Sequence, residues 1–327
     1  MSKVDHEVLE DLLSHASPRP APGADDVAAA KAAVREEWMR VAAKHRGRRR
    51  VVQYAMAATV LLAAFAGLNV LRSPVDAAVR VASIERSFGP VYLLGDQAEL
   101  RPTDDLANIN TGQTIVTGDE SGLALTWGTG GSVRIDANSR VTFTASDALF
   151  LESGRVYFDS QTAALAAGAG AAPRFVVGTE QGRVHHLGTQ FMTESGADRL
   201  VVSVREGRVN IEGVYHGQQA TAGEQVTLAG RQQPSVLRIE RSGAMWNWVE
   251  RTTPAVDVDG KTLHEFLLWA CREMGLELRY EGKAEAAAHQ AVLKGSIDTE
   301  PGEALGLRLE TAALDWRIEQ GVIYISD

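Results

Sequence analysis

The sequence contains very little of the chemistry that enzymes and metalloproteins use. Cys271 is the only cysteine in 327 residues, which excludes an internal disulfide framework and a thiolate zinc site. The glycine run at residues 128–131 lacks the Lys-Ser/Thr pair of a phosphate-binding loop and is interpreted as a turn. His185 and His186 are adjacent in a predicted strand, so they would point to opposite faces. We therefore expect no reaction on a separate substrate, no cofactor and no metal.

The distribution of charge argues against direct binding to nucleic acid. The net charge is -9, but residues 1–50 carry 10 Lys/Arg and 8 Asp/Glu, a net charge of +2. Residues 51–71 carry no charge, which leaves 23 basic and 34 acidic side chains in residues 72–327. Affinity for phosphates is built from basic groups, so this acidic part of the chain has the wrong sign for it.

Residues 51–71 form an uncharged, mainly apolar stretch that predicts a transmembrane helix. At about 1.5 Å per residue the helix would be roughly 31 Å long, enough to cross the hydrocarbon core of a bilayer. Basic residues immediately before it would keep the N-terminal side in the cytoplasm; these are Arg46, Arg48, Arg49 and Arg50. The chain would then be a single-pass protein of the inner membrane with a periplasmic C-terminus. The alternatives are a buried core helix and a cleaved signal peptide. A whole signal peptide usually has about 15–30 residues, whereas 50 residues precede this apolar stretch, which argues against a signal peptide.

The first 50 residues contain too few large apolar side chains to build an independent core. After a proline-rich stretch at residues 18–22, apolar residues recur at helical spacing and predict a helix with one apolar face. On that face, Val34, Trp38 and Val41 are the candidate contacts with a partner protein. The alternative is that this helix is only a juxtamembrane stalk.

From residue 80 to residue 230 the apolar residues recur with a period of two. Leu123, Leu125 and Trp127, for example, alternate with smaller residues, and turn signals follow each short run. Short alternating strands at about 8–12-residue spacing predict an all-β sandwich, barrel or short solenoid. The tripeptide Gly-Arg-Val occurs three times, from residues 154, 182 and 207. We interpret these glycines as hairpin turns, because glycine readily adopts the positive φ that a tight hairpin requires.

An ordered set of short motifs in this region makes the assignment more specific. The motif residues are Gly131 and Ser132; Gly154; Pro173, Phe175 and Val176; Leu187, Gly188, Thr189 and Phe191; and Glu206, Gly207 and Val209. Each motif is weak alone, but their order resembles the periplasmic sensor region of the FecR family over about residues 80–230.

The last part of the chain, residues 255–327, combines helix and strand signals. Thr262 and Glu265 have the spacing of a capping box, and Gly275 is placed to end the same helix. The strand–helix–strand order then occurs a second time, after residues 284–288, which we interpret as a loop. This duplicated unit resembles the small signalling module at the N-terminus of secretins and TonB-dependent receptors, here called STN-like.

Together these patterns predict a mainly β protein with a small α+β domain. The predicted divisions are a cytoplasmic helical head at 1–50, a transmembrane helix at 51–71, a FecR-like all-β domain at 80–230, a connector at 231–254 and an STN-like module at 255–327. Trp246 and Trp248, in the connector, are expected to seal the contact between the β domain and the module.

The two resemblances imply an anti-sigma-type regulator. It would relay a signal from a TonB-dependent outer-membrane transducer to a sigma factor of the extracytoplasmic-function type, through regulated proteolysis. The alternative is a membrane-anchored periplasmic structural or carbohydrate-binding module without a cytoplasmic partner.

The FecR resemblance also implies a possible self-cleavage, since some members of that family cleave themselves between the Gly and Thr that Gly188 and Thr189 match. A strained peptide bond would let the threonine hydroxyl attack the preceding carbonyl, in an N-to-O acyl shift that gives a hydrolysable ester. The alternative is that the pair is only a bulge or turn.

Overall fold

The computed structural model describes residues 23–36, 38–39, 79–95, 98–103, 106–128, 130–160, 175–188, 190–214 and 217–327. The chain divides into two compact units, Met1–Val75 and Asp76–Asp327. Within the described ranges, no helix is both long enough and apolar enough to cross a bilayer. The predicted transmembrane helix at 51–71 and the four arginines before it lie outside the described residues, so that prediction stays open.

In the first unit, the described residues form one helix, α1, over residues 24–36, with residues 38 and 39 also helical. The backbone N–H of Val27 donates to the carbonyl oxygen of Gly23 at 3.1 Å, which marks the first helical turn. Nearly all of its side chains are exposed.

In the second unit, the first part of the chain forms the β domain. Its strands are β1 (Arg80–Phe88), β2 (Val91–Leu94), β3 (Leu100–Pro102), β4 (Asn108–Asn110), β5 (Thr114–Thr117), β6 (Gly122–Trp127), β7 (Ser132–Ile135), β8 (Arg140–Ala145), β9 (Ala148–Asp159), β10 (Val176–Thr179), β11 (Gly182–His186), β12 (Gln190–Ser195), β13 (Arg199–Glu206), β14 (Arg208–Gly213), β15 (Gly217–Thr221), β16 (Glu224–Ala229) and β17 (Ser235–Arg238).

These strands form two sheets that share one strand, as the pairing shows. Sheet A has the order β4-β1-β6-β7-β9-β12-β13-β16-β17. Sheet B has the order β3-β2-β5-β8-β9-β10-β11-β14-β15. Neighbouring strands are antiparallel, except that β9 and β10 run parallel. The arrangement is sandwich-like, one of the forms that the alternating pattern predicts.

The apolar residues of the alternating pattern meet between the two sheets. Trp127 and Phe158 are 1% exposed, and Phe158 stacks on Phe175 with ring centroids 3.9 Å apart. The indole N–H of Trp127 donates to the carbonyl oxygen of Ser146 at 2.7 Å, so its one polar atom is satisfied. Each fully buried Val, Leu, Ile or Phe side chain contributes roughly 1.5–3 kcal/mol, which makes this core the main source of stability in the β domain.

The interpretation of the three Gly-Arg-Val tripeptides as hairpin turns is wrong for two of them. Gly154 lies inside β9, at the point where this strand leaves sheet B and enters sheet A. Its φ is +94°, and a Cβ there would lie 2.5 Å from the Cα of Ser139. Gly207 connects β13 of sheet A to β14 of sheet B, and only Gly182 borders a hairpin, between β10 and β11. Gly154 and Gly207 do have the predicted positive φ. At both residues, however, the chain passes from one sheet to the other and does not form a hairpin turn.

The β domain extends past residue 230, because β17 pairs with β16 in the segment predicted as a connector. A 3₁₀ turn (Ala244–Trp246) and a short helix, α2 (Asn247–Arg251), follow. Trp246 and Trp248 are buried there in a small apolar cluster with Tyr157, Met192 and Val249. The two tryptophans thus pack on sheet A; that they seal its contact with the module stays a prediction.

The C-terminal module consists of residues 255–327. Its elements are β18 (Val256–Asp257), α3 (Leu263–Met274), β19 (Glu277–Tyr280), α4 (Ala284–Gln290), β20 (Ser296–Ile297), α5 (Pro301–Thr311), β21 (Asp315–Glu319) and β22 (Val322–Ser326). Strand β18 pairs with β20, and β22 lies between β19 and β21. The strand–helix–strand order occurs twice, at β18-α3-β19 and β20-α5-β21, which matches the predicted duplication.

Local signals set the ends of α3. The side chains and backbones of Thr262 and Glu265 form the predicted capping box, and Gly275 ends the helix in the left-handed conformation at φ 69°. The interpretation of residues 284–288 as a loop is wrong, since they belong to helix α4. Ala284 and Ala288 are buried there against the module core. Their small side chains gave too weak an apolar pattern to indicate a helix.

Candidate functional site

The outer face of sheet A, turned away from the sandwich core, is covered by the C-terminal module and the segment before it. Arg134 on β7 lies directly beside Tyr157 on β9, which lies beside Met192 on β12. All three are at most 4% exposed. We call this contact between sheet A, α2 and α3 the junction.

Arg134 forms the centre of the junction, since it bonds to both elements that cover it. Its guanidinium donates to the carbonyl oxygen of Val249 at 2.8 Å, to Oγ1 of Thr253 at 3.1 Å and to Oε2 of Glu273 at 2.6 Å. Burial by itself lowers the pKa of Arg134, but Glu273 first, and then Tyr157 and Asp159, together raise the pKa above its usual value. The guanidinium therefore stays charged beneath the module.

Arg205, on β13, is the second buried cation of the junction. Its Nη1 donates to the carbonyl oxygen of Glu273 at 2.7 Å, and its guanidinium stacks over the ring of Trp246 at 4.3 Å. The ring of Tyr157 is 5.8 Å from the same guanidinium. A cation over aromatic rings in a desolvated site is stabilised by roughly 2 kcal/mol. Aromatic faces thus replace carboxylates as the main partners of this arginine.

Several buried polar atoms of the junction have no hydrogen-bond partner among the described residues. They are Nε of Arg134, Nε and Nη2 of Arg205, the hydroxyl of Tyr157 and the indole N–H of Trp248. Burial also raises the pKa of Tyr157, so that hydroxyl stays neutral. The junction is therefore held by specific charges and rings.

A set of ion pairs surrounds this buried centre. Nη2 of Arg272, on α3, lies 2.5 Å from Oδ1 of Asp159, and its Nη1 lies 2.8 Å from Oε2 of Glu206. Asp159 also accepts a hydrogen bond from Nε2 of Gln190 at 2.9 Å. Burial lowers the pKa of Arg272, but Asp159 and then Glu206 raise it, so the net shift is upward. Two adjacent residues of α3, Arg272 and Glu273, thus bond to sheet A with opposite charges.

The charged residues of the junction and Tyr157 were not identified from the sequence as functional residues. Arg134 alternates with Val133 and Ile135, so the pattern correctly assigns its side chain to the face opposite the core. Periodicity does not show whether that outer face is solvated or covered. The pair of tryptophans at 246 and 248 was a usable signal that this outer face is covered, because two large aromatic side chains need a surface to pack on.

The predicted partner-binding residues lie in the first unit. Val34 and Trp38 are 68% and 72% exposed, and they line one side of α1 together with Val27 and Ala30. Lys31 and Arg35 border this side. Val41 lies outside the described residues. The helix thus presents a continuous apolar stripe with two basic side chains beside it.

Gly188, the first residue of the predicted cleavage pair, follows β11. Its φ is +83°, and its backbone N–H donates to Nδ1 of His186 at 2.8 Å. Thr189 lies outside the described residues, so self-cleavage stays a prediction. The two histidines before the pair point to different surroundings. His186 packs on Phe158, whereas His185 lies 3.2 Å from Glu212.

Comparison with known proteins gives a family for the β domain. Residues 113–210 match the family described as FecR protein. Two crystal structures of a candidate anti-sigma factor from Parabacteroides distasonis are similar at a TM-score of 0.35, with 15% and 16% identity. These matches cover 65% of this chain, and 98% and 97% of the other chains. No curated protein matches the chain. The matched range includes Arg134, Tyr157 and Arg205, the residues that sheet A contributes to the junction. From the match we conclude that this chain carries a FecR domain.

Proposed function

We propose that this protein is a transmembrane regulator of sigma-factor signalling, of the anti-sigma type. The observation that carries the proposal is the FecR match over residues 113–210. In the full proposal the chain crosses the inner membrane once, with its N-terminus in the cytoplasm. A TonB-dependent transducer supplies the signal from outside, and a sigma factor of the extracytoplasmic-function type receives it inside.

The exposed stripe on α1 supports a role for the head in binding a protein. A tryptophan that is 72% exposed, next to a valine that is 68% exposed, leaves apolar surface in water. Docking of such a stripe into an apolar groove is a common mode of helix recognition. Lys31 and Arg35 beside the stripe would suit a groove with an acidic border. In the proposal the groove belongs to the sigma factor.

The junction supports a role for the C-terminal module in receiving the signal. The module is tied to sheet A by three arginines, Arg134, Arg205 and Arg272. Because only a few charged groups hold this contact, the binding of another protein to the module would move the module relative to sheet A at a modest free-energy cost. Movement of the module would expose the outer face of sheet A.

Capture of a sigma factor by the full chain tests the proposed partner. Each extracytoplasmic-function sigma factor of the source organism would be co-expressed with the full chain, which would then be isolated through a C-terminal tag. We expect one factor to be retained, and Trp38→Ala to reduce its retention by at least tenfold. Ala32→Ser, on the opposite side of α1, is the matched control and should retain it fully. If no factor is retained at any salt concentration, the proposal is wrong.

A topology reporter tests the proposed membrane arrangement. Alkaline phosphatase, which is active only outside the cytoplasm, would be fused after Leu71, and in a second chain after Arg50. We expect activity only from the first fusion. Activity from neither fusion, with a cytoplasmic reporter active at both positions, would contradict the single-pass arrangement.

Self-cleavage at Gly188–Thr189 is part of the same proposal. The positive φ of Gly188 supplies a turn at the residue whose carbonyl would be attacked. Thr189→Ala removes the nucleophile, and Thr189→Ser retains one. We expect fragments of the wild-type chain and of Thr189→Ser on a denaturing gel, and none of Thr189→Ala. Identical fragment patterns for all three chains would show that the pair is only a turn.

A further inference from the structure

Strand β21 (Asp315–Glu319) has an open edge. Among the residues that the structure describes, it pairs only with β22, at one margin of the order β19-β22-β21, and all five of its residues are exposed. The loop between β21 and β22 has two residues, Gln320 and Gly321, both with positive φ. This is the geometry of a type I′ hairpin, which fixes the register of the two strands.

The register determines which backbone groups face the open edge. Glu319 and Val322 flank the two-residue loop as a directly opposed pair. In an antiparallel hairpin this pair exchanges hydrogen bonds, and every second residue does likewise. The N–H and C=O groups of Trp316 and Ile318 therefore point away from β22, toward the open edge.

This edge lacks a proline and a bulge, two of the features that prevent pairing with another chain, although three of its five residues are charged. Strand β21 contains no proline, and its register with β22 has no bulge. Natural sheets commonly protect an edge with such features, with inward-pointing charges or with a covering element. Trp316 and Ile318 instead leave 44% and 42% of their surface exposed. Trp316 and Ile318 thus offer an added strand both their outward-facing backbone N–H and C=O groups and their partly exposed apolar side chains.

Arg317 holds the strand in a fixed position. Its guanidinium bonds to both carboxylate oxygens of Glu281, at 2.6 Å and 2.8 Å, and lies 4.5 Å from the centre of the Tyr324 ring. These contacts cross β22 to the far side of the sheet. An ordered edge loses little conformational entropy when another strand is added.

The charge of the module selects the kind of strand that would be added. Residues 255–327 contain 7 Lys/Arg and 14 Asp/Glu, a net charge of -7. Asp315 and Glu319 lie on the open strand itself, and Arg317 is already paired with Glu281 and, at 3.2 Å, with Glu319. A second copy of the chain would bring two surfaces of charge -7 together, whereas a basic segment would be attracted.

We propose that the open edge of β21 binds an extended segment of a basic partner protein, which adds a strand to the sheet of the C-terminal module. Apolar side chains of the segment would contact Trp316 and Ile318. Lysine or arginine side chains would lie opposite Asp315 and Glu319. This docking surface is independent of the proposed contact between α1 and a sigma factor.

A peptide of defined pattern tests the proposal on the full chain. The probe is a short synthetic peptide in which valine alternates with lysine. We expect saturable binding, and slower hydrogen exchange of the Trp316 and Ile318 amides when the peptide is bound. A peptide of the same sequence with N-methyl groups on alternate residues cannot pair with the edge, and it should bind at least tenfold more weakly. A peptide with glutamate in place of lysine should not bind measurably.

Substitution at the edge provides the second measurement. Ile318→Pro removes one outward-facing N–H without disturbing a bond to β22, and it should weaken peptide binding about tenfold. Ile318→Val keeps that N–H and should bind as the wild type does, while circular dichroism confirms that both variants are folded.

Three results would overturn the proposal: equal binding of the methylated peptide, no effect of Ile318→Pro, or amide protection of β21 without peptide that depends on protein concentration. The last would identify a second copy as the occupant. Capture of a sigma factor does not involve β21, so failure here and failure of the proposed function can be told apart.

Discussion

Sheet A is buried on both faces, but the two faces are built from different kinds of side chain. Its inner face contributes Val133, Phe158 and other apolar residues to the core shared with sheet B. Its outer face carries Arg134, Tyr157 and Arg205 beneath the module. The inner contact gains stability from every buried apolar side chain, roughly in proportion to area. The outer contact depends on pairing a few charges correctly.

This difference indicates a division of roles within the unit Asp76–Asp327. We expect the sandwich core to set the overall stability, and the junction to set how firmly the module is held. Loss of a core residue should unfold the β domain, while loss of a junction residue should release the module and leave the sandwich folded. Substitutions at Phe158, Glu273, Arg272 and Glu250 test that comparison, and we expect their effects to decrease in this order.

The largest effect is expected from Phe158→Ala. Phe158 is 1% exposed, and it stacks on Phe175 and contacts Phe191 and His186. Removal of a buried phenylalanine costs about 3–5 kcal/mol, from lost burial and the cavity left behind. Urea unfolding followed by circular dichroism measures the loss. Leu307→Ala, at a residue that is 62% exposed, is the control and should cost less than about 0.5 kcal/mol.

The second prediction concerns the buried pair at the centre of the junction. Glu273→Ala removes the carboxylate and leaves the Arg134 guanidinium buried without its counter-charge, at a cost of about 3 kcal/mol. We expect proteolysis to become faster in residues 239–254, while the β domain keeps its resistance. The double variant Arg134→Met with Glu273→Leu removes both charges and should recover most of the loss. A double variant as sensitive as Glu273→Ala would contradict the account of a charge-dependent junction.

The third prediction concerns the ion pairs around the centre. Arg272→Gln loses the charge that faces Asp159 and Glu206, and we expect a cost of about 1–2 kcal/mol. Because Arg272 is partly accessible, 0.5 M salt should reduce the difference from the wild type. Unfolding curves at low and high salt measure this. Arg279→Gln, which removes an exposed pair with Glu277, is the matched control with an effect near zero.

The smallest effect is a dependence on pH through Glu250 on α2. Burial raises the pKa of Glu250 above its usual 4.5; Arg205 lowers it in part, and Glu300 and Glu273 add smaller upward contributions. The folded state therefore favours the protonated form. The stabilisation from this group is complete below pH 4.5 and is lost as the pH rises through the raised pKa. Glu250→Gln should accordingly stabilise the junction by less than about 1 kcal/mol at pH 7, with no gain at pH 4. A larger gain at pH 4 would reverse the sign and contradict this reading.

Much of the fold could be predicted, because local patterns carry it. The alternation at Leu123, Leu125 and Trp127 predicted both a strand and its buried face, and the structure buries all three. The capping box at Thr262 and the stop at Gly275 were also readable, since both depend on neighbours in sequence. The ordered FecR motifs identified the family that the match over residues 113–210 confirms.

Other features could not be predicted from local patterns. Gly154 and Gly182 begin the same tripeptide, yet one bends a strand between sheets and the other follows a hairpin. Which of the two occurs depends on strands far away in sequence, such as β12, which pairs with the second half of β9. The helix α4 was missed because its buried residues are alanines, and its packing depends on the module core around them.

The sequence by itself determined the side of each strand on which its residues lie, the caps of α3 and the family of the β domain, because these follow from neighbouring residues and from motif order. Only the tertiary structure decided that the polar face of sheet A is covered. Arg134 is a surface residue by periodicity and a buried one in the fold, since Glu273, 139 positions later, is brought against it. Alternation separates the two faces of a strand, but burial depends on what folds over each face.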